Sequence, residues 1–158
     1  MQNLQTLLKL LTQSPLEFIL VGGFAAVLHG CNQTTRDIDI CIVHSPEQIQ
    51  LLQKILKSHH PRYRMTDKEI SFLDSPPNFS KKQDLHFITD LGVVDIVAHI
   101  EGIGDYYDVL KNSEEIEIYE SKCRLISLED LILSKKKLGR HRDLVTVMEL
   151  EAIRNGKE

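Results

Sequence analysis

Gly22, Gly23, Asp37 and Asp39 have the types and spacing for chemistry on a phosphate ester. The glycines follow the apolar run FILV, and the aspartates open the run DIDICIV. Side chains alternate along a strand, so Asp37 and Asp39 share one face while Ile38 and Ile40 share the other. Two neighbouring carboxylates repel each other and are costly to desolvate. A hard divalent cation such as Mg²⁺, which prefers oxygen ligands, would relieve both penalties. Glycines at a helix start let backbone N–H groups approach a phosphate closely. A phosphate cradle beside paired carboxylates predicts metal-dependent chemistry on a nucleoside triphosphate.

The elements that must position these residues can be read from pattern. Residues 2–12 carry Leu4, Leu7, Leu8 and Leu11 at helical spacing, and Ser14 and Pro15 end that helix. Phe18 to Val21 read as a buried strand and Phe24 to Leu28 as a helix closing near Gly30. Asp37 to Val43 form the acidic strand. Ser45 followed by Pro46 is an N-cap with proline at the first helical position, and opens a helix to about Ser58. Residues 59–83 show only a short apolar patch, Ile70 to Leu73, and the loop DSPPNFSKKQ. Leu85 to Thr89 and Val93 to Ile100 form a hairpin around Asp90, Leu91 and Gly92. Residues 101–112 lead into a short helix. Two short strands follow, Ile116 to Tyr119 and Cys123 to Ile126. Ser127 with Asp130 starts a helix over 128–138, and a turn at Gly139 leads into a last helix to about Arg154. The fold class expected is α/β (α+β), a small mixed sheet flanked by helices. Residues 1–126 would form the core, with 127–158 a helical segment packed on it.

Within the second hairpin strand, GVVDIVAHI, Asp95 interrupts an apolar run. A buried carboxylate is expensive unless paired or metal-bound. Beside Asp37 and Asp39 it becomes the third member of an acidic cluster, able with them to hold two Mg²⁺ ions and to orient or deprotonate an incoming nucleophile. His86 and His99 fall on strand faces near Asp95. Lys135, Arg140 and Arg142 would contact phosphate if the last helices fold over the cleft, with Asp143 pinning one of them.

The whole arrangement resembles the nucleotidyltransferases of the DNA polymerase β-like fold: a glycine pair after an apolar strand, an aspartate–apolar–aspartate strand, and a third acidic residue on a later strand. LHGCNQTTRDIDI and GRHRDLVTVMELEAI are similar to segments of small stand-alone prokaryotic members, among them toxin and phage-defence proteins. Relatives often carry an arginine where this chain has Asn32 and Gln33. The resemblance implies transfer of a nucleoside monophosphate from an NTP to an acceptor hydroxyl. It implies Asp37, Asp39 and Asp95 as metal-binding and catalytic residues, and Gly22, Gly23, Thr35 and Arg36 as the triphosphate-binding set. Partners implied are the NTP and an acceptor that is a small molecule, tRNA or protein, with an antitoxin partner in the toxin-type case; a non-catalytic module retaining the fold is the other alternative.

Bulk properties agree. The 158 residues suit one domain, and 42% hydrophobic with 27% charged residues is ordinary globular composition. No apolar run approaches the roughly 20 residues that span a bilayer, so no membrane association is expected. Cys31, Cys41 and Cys123 lack metal-type spacing and read as reduced thiols in a cytoplasmic protein. Net charge is −4, which supplies no general attraction for nucleic acid, although Lys135 to Arg142 form a basic cluster, KKKLGRHR.

Overall fold

A computed structural model describes residues 3–64, 69–74 and 84–156. The element order is α1 (Leu4–Thr12), β1 (Ile19–Val21), α2 (Gly22–Leu28), β2 (Asp37–Cys41), α3 (Pro46–Leu56), β3 (Arg62–Tyr63), β4 (Leu85–Thr89), β5 (Gly92–Val97), α4 (Tyr106–Asn112), β6 (Glu114–Ile118), β7 (Ser121–Leu125), α5 (Leu128–Leu138) and α6 (His141–Gly156). Among the described residues the strands make one seven-stranded mixed sheet, ordered β3-β4-β5-β2-β1-β7-β6. β2 runs parallel to β5 and antiparallel to β1, and β7 runs parallel to β1. The expected mixed sheet with flanking helices is what forms.

The central strands are apolar on one face because a helix layer covers it. Ile38 and Ile40 of β2 are fully buried in a core shared with Leu7, Leu8 and Leu11 of α1 and with Ile49, Leu52 and Leu56 of α3. Ser45 caps α3 as its hydroxyl accepts from the Gln48 N–H at 3.3 Å. The other face of β2 carries the aspartates. No helix among the described residues is long and apolar enough to cross a membrane.

Several boundaries differ from those the sequence pattern suggests. α2 begins at Gly22 rather than Phe24, so the glycine pair forms the first turn of the helix itself. β5 ends at Val97 instead of Ile100. The strands around Tyr119 shift by about two residues, because Tyr119 and Glu120 both take positive φ, 50° and 64°, and form the hairpin turn. A short strand, β3, lies inside the stretch that reads as loop and pairs antiparallel with β4. Most of the loop DSPPNFSKKQ, residues 75–83, lies outside the described residues.

Asp143, on the first turn of α6, is 1% exposed. It accepts from Arg140 Nε at 2.6 Å and Nη2 at 3.2 Å, and Lys135 Nζ lies 3.5 Å away. Burial alone would raise its carboxyl, but the Arg140 and Lys135 charges outweigh burial and hold it below the usual carboxylate range. Asp143 is the buried member and Arg140 is half exposed, so water screens the charges left behind. Through the lost buried hydrogen bonds and the partly covered Lys135, Asp143→Ala is expected to cost about 2 kcal/mol. Its Tm, followed by circular dichroism, should fall by about 6 °C.

The three cysteines are free and buried, and burial pushes their thiols up to about 11 (Cys31), 12 (Cys41) and 11 (Cys123). A thiol with so little thiolate at neutral pH is a poor nucleophile, so these side chains serve packing.

Candidate active site

The parallel pairing of β2 with β5 sets Asp39 directly opposite Asp95, and Asp37 opposite Val93. Antiparallel pairing of β5 with β4 then sets His86 opposite Asp95. Four polar side chains on three neighbouring strands thus share one face of the sheet. A cleft of about 500 Å³ lies over them. Gly22, Gly23, Asp37, Asp39, Asp95 and His86 line one side, and Lys135, Arg140 and Arg142 line the other.

The glycine pair positions Asp39 before it positions anything else. The Gly23 N–H donates to Asp39 Oδ2 at 3.2 Å. Gly22 has φ +65°, and a Cβ there would overlap that same oxygen. Only glycine permits both the backbone and the approach.

Asp39 and Asp95 are in hydrogen-bonding contact. Burial first, and then the charge of Asp95, push the Asp39 carboxyl up to about 7, against the pull of the Gly23 amide. At neutral pH the pair therefore calls for a proton or a cation between its oxygens.

Asp95 carries other bonds as well. Its Oδ1 accepts from Arg64 Nη2 at 2.8 Å and from His86 Nδ1 at 2.9 Å. The sequence offers Asp95 as a metal ligand; in the structure its Oδ1 is shared by the Arg64 guanidinium and the His86 ring. Among the described residues, no three His, Cys, Asp or Glu side chains converge as a metal-holding group. The hard-oxygen donors that fit a Mg²⁺ ion are Asp37 and Asp39, which share the cleft face of one strand.

The remaining candidates divide. Thr35 spends its hydroxyl on the Asp37 carbonyl at 3.1 Å, and Arg36 is exposed; neither is among the residues lining the cleft. Lys135, Arg140 and Arg142 do line it, two of them steadied by Asp143. His99 lies beyond the end of β5 but also lines the cleft. Asn32 donates its N–H to Glu149 on α6 at 3.0 Å, tying the approach to β2 onto the last helix. Arg64 is the residue that sequence pattern misses. Its one signal is the spacing of Arg62 and Arg64 around Tyr63, too short a pattern to establish a strand.

The family model described as "nucleotidyltransferase of unknown function" (DUF6036) matches residues 1–155. The chain belongs to that family of nucleotidyltransferases. Two solved structures share its fold. One is a candidate nucleotidyltransferase of Thermotoga maritima, with 20% identity, TM-score 0.56, and 92% of this chain and 90% of that one covered. The other is the lincosamide antibiotic adenylyltransferase LnuA with lincomycin bound, with 18% identity, TM-score 0.60, and 95% of each chain covered. No curated protein matches the sequence. Membership makes the protein a transferase of nucleotides. In this nucleotidyltransferase the glycine pair, the acidic strand and Asp95 line one cleft.

Proposed function

We propose that this nucleotidyltransferase moves a nucleoside monophosphate from an NTP to an acceptor hydroxyl in a Mg²⁺-dependent reaction. The observation that carries the reading is the in-register Asp39–Asp95 pair facing a basic wall across one cleft. Lys135, Arg140 and Arg142 would receive the triphosphate, whose charge they match. Asp37 and Asp39 would hold Mg²⁺, which when bound would neutralise the triphosphate and favour departure of pyrophosphate. Asp95 would orient the acceptor side, its carboxylate steadied by Arg64 and His86. Held reactants gain much of their rate from positioning alone.

For the acceptor class we propose a small hydroxyl-bearing molecule. This reading draws on the fold neighbour that binds lincomycin and on the net charge of −4, which offers no general attraction for tRNA.

The test incubates the protein with Mg²⁺ and each α-labelled NTP in turn. The acceptors offered are lincomycin, an aminoglycoside, bulk tRNA, and the protein itself. Label on a small molecule, with one pyrophosphate released per transfer, is the expected result. Label on tRNA or on protein would transfer the reading to a toxin-type enzyme. No label and no NTP binding by calorimetry would overturn the catalytic reading in favour of a non-catalytic module.

A further inference from the structure

We infer that His86 is the general base of the reaction, with Asp95 behind it as its orienting partner. The inference rests on the nucleotidyl-transfer reading above. His86 and Asp95 face each other across β4 and β5, and Nδ1 lies 2.9 Å from Asp95 Oδ1. A carboxylate accepts and does not donate, so Nδ1 of the neutral ring carries the hydrogen. Nε2 is then the lone-pair nitrogen. The ring lines the cleft and its side chain is 40% exposed; among the described residues it is Nδ1, not Nε2, that bonds to protein. Asp95 is 13% exposed by side chain, and its Oδ1 is also held by Arg64 at 2.8 Å. Of the two side chains, the histidine therefore presents the more accessible proton acceptor. A buried carboxylate, a ring fixed in one tautomer and an open second nitrogen form an acid–base pair by geometry and not by sequence order.

The step balances. The acceptor oxygen forms a bond to the α-phosphorus, and the bond from that phosphorus to the bridging oxygen of the β-phosphate breaks. Pyrophosphate leaves with the electron pair. The hydroxyl proton passes to Nε2, giving an imidazolium that Asp95 stabilises through Nδ1–H and that returns its proton to water.

The probe reaction is Mg²⁺-dependent release of pyrophosphate from ATP with water as acceptor, alongside calorimetric ATP binding. His86→Asn retains a donor for Asp95 but removes the base. It is expected to lower kcat by about 100-fold with ATP affinity within about twofold of wild type. Free imidazole should restore activity to His86→Ala and leave Asp39→Asn unchanged. Long-range ¹H–¹⁵N spectra of the metal-free protein should show the Nδ1–H tautomer at His86. An active His86→Asn, absence of imidazole rescue, or an Nε2–H tautomer would overturn the assignment while leaving nucleotidyl transfer in place. A wild type that neither binds ATP nor releases pyrophosphate would overturn the transfer reading itself.

Discussion

Asp39→Asn is expected to slow transfer by about 10³ and to make the protein more stable at neutral pH. Asp39 is held between the Gly23 amide and Asp95, with its carboxyl pushed up to about 7 by burial and by the charge of Asp95. In the unfolded chain the same group titrates near 3.8. Between these two values the folded protein thus keeps a proton that the unfolded chain has released. Stability is fully present below the lower value and is lost as pH rises through the higher one. The full shift corresponds to about 4 kcal/mol. Asp39 is only partly buried and water screens part of it, so the loss by about pH 8, in EDTA, should be on the order of 2 kcal/mol. The amide of the variant has no proton to lose, so Asp39→Asn should melt about 5 °C above wild type near pH 8 and close to it near pH 4. Mg²⁺ should raise the wild-type Tm near pH 8 and leave the variant's unchanged. Activity should move the other way. If Asp39 holds Mg²⁺ as proposed, its loss removes several kcal/mol of transition-state stabilisation, a fall of about 10³ in kcat. Paired melting curves and pyrophosphate release assays decide it. A variant no more stable than wild type at the higher pH would show that the two carboxylates do not repel in the folded protein.

The parts of this site that local pattern encodes are legible in the sequence alone. Asp37-Ile38-Asp39 shows its two faces by alternation, and Asp95 stands out because a charge breaks an apolar run. Their partnership is harder to read. That Asp39 sits opposite Asp95 is a matter of register between strands distant in sequence, and a slip of one residue would send one of them to the other face. Nothing in either segment alone specifies that register. It follows from the packing of Ile38, Ile40, Val94 and Ile96 into the same core.

Arg64 and His86 show the same boundary from opposite sides. His86 alternates with Leu85 and Phe87, which are buried, so its outward face is readable. Its bond to Asp95 requires the hairpin register as well. Arg64 sits just past a two-residue strand, where no periodicity can accumulate, yet its N–H continues the ladder to the His86 carbonyl at 2.9 Å. The helix start at Gly22 is hidden for a different reason. Glycine is among the poorest helix formers, so propensity places the start two residues late. What overrides propensity is the carboxylate that must lie against the backbone.

Gly22→Ala should therefore be far more damaging than Gly23→Ala, although both change one hydrogen to a methyl group in the same turn. At Gly22 the added carbon would overlap Asp39 Oδ2 and lie 2.8 Å from the carboxyl carbon and 2.9 Å from Cβ, on a backbone with φ +65°. The left-handed conformation alone costs an L-residue roughly 1–2 kcal/mol. The contact forces either Asp39 or the first turn of α2 to move. A displacement of about 1 Å at a reacting centre can cost about 100-fold in rate, so Gly22→Ala should combine that loss with a Tm lower by about 5 °C. At Gly23 the nearest atom to an added Cβ is Thr35 Oγ1 at 3.8 Å, an ordinary contact. Its N–H remains able to donate to Asp39, and alanine favours the helix over glycine. Gly23→Ala should keep the wild-type Tm within about 2 °C and bind metal as before. The pair also separates two roles for the glycines. If the motif serves mainly to admit a phosphate, a methyl group at Gly23, which lines the cleft, should weaken ATP binding as much as one at Gly22. If it serves mainly to seat Asp39, only Gly22→Ala should lose Mg²⁺-dependent stabilisation, and the close approach of Asp39 to Gly22 favours that second outcome.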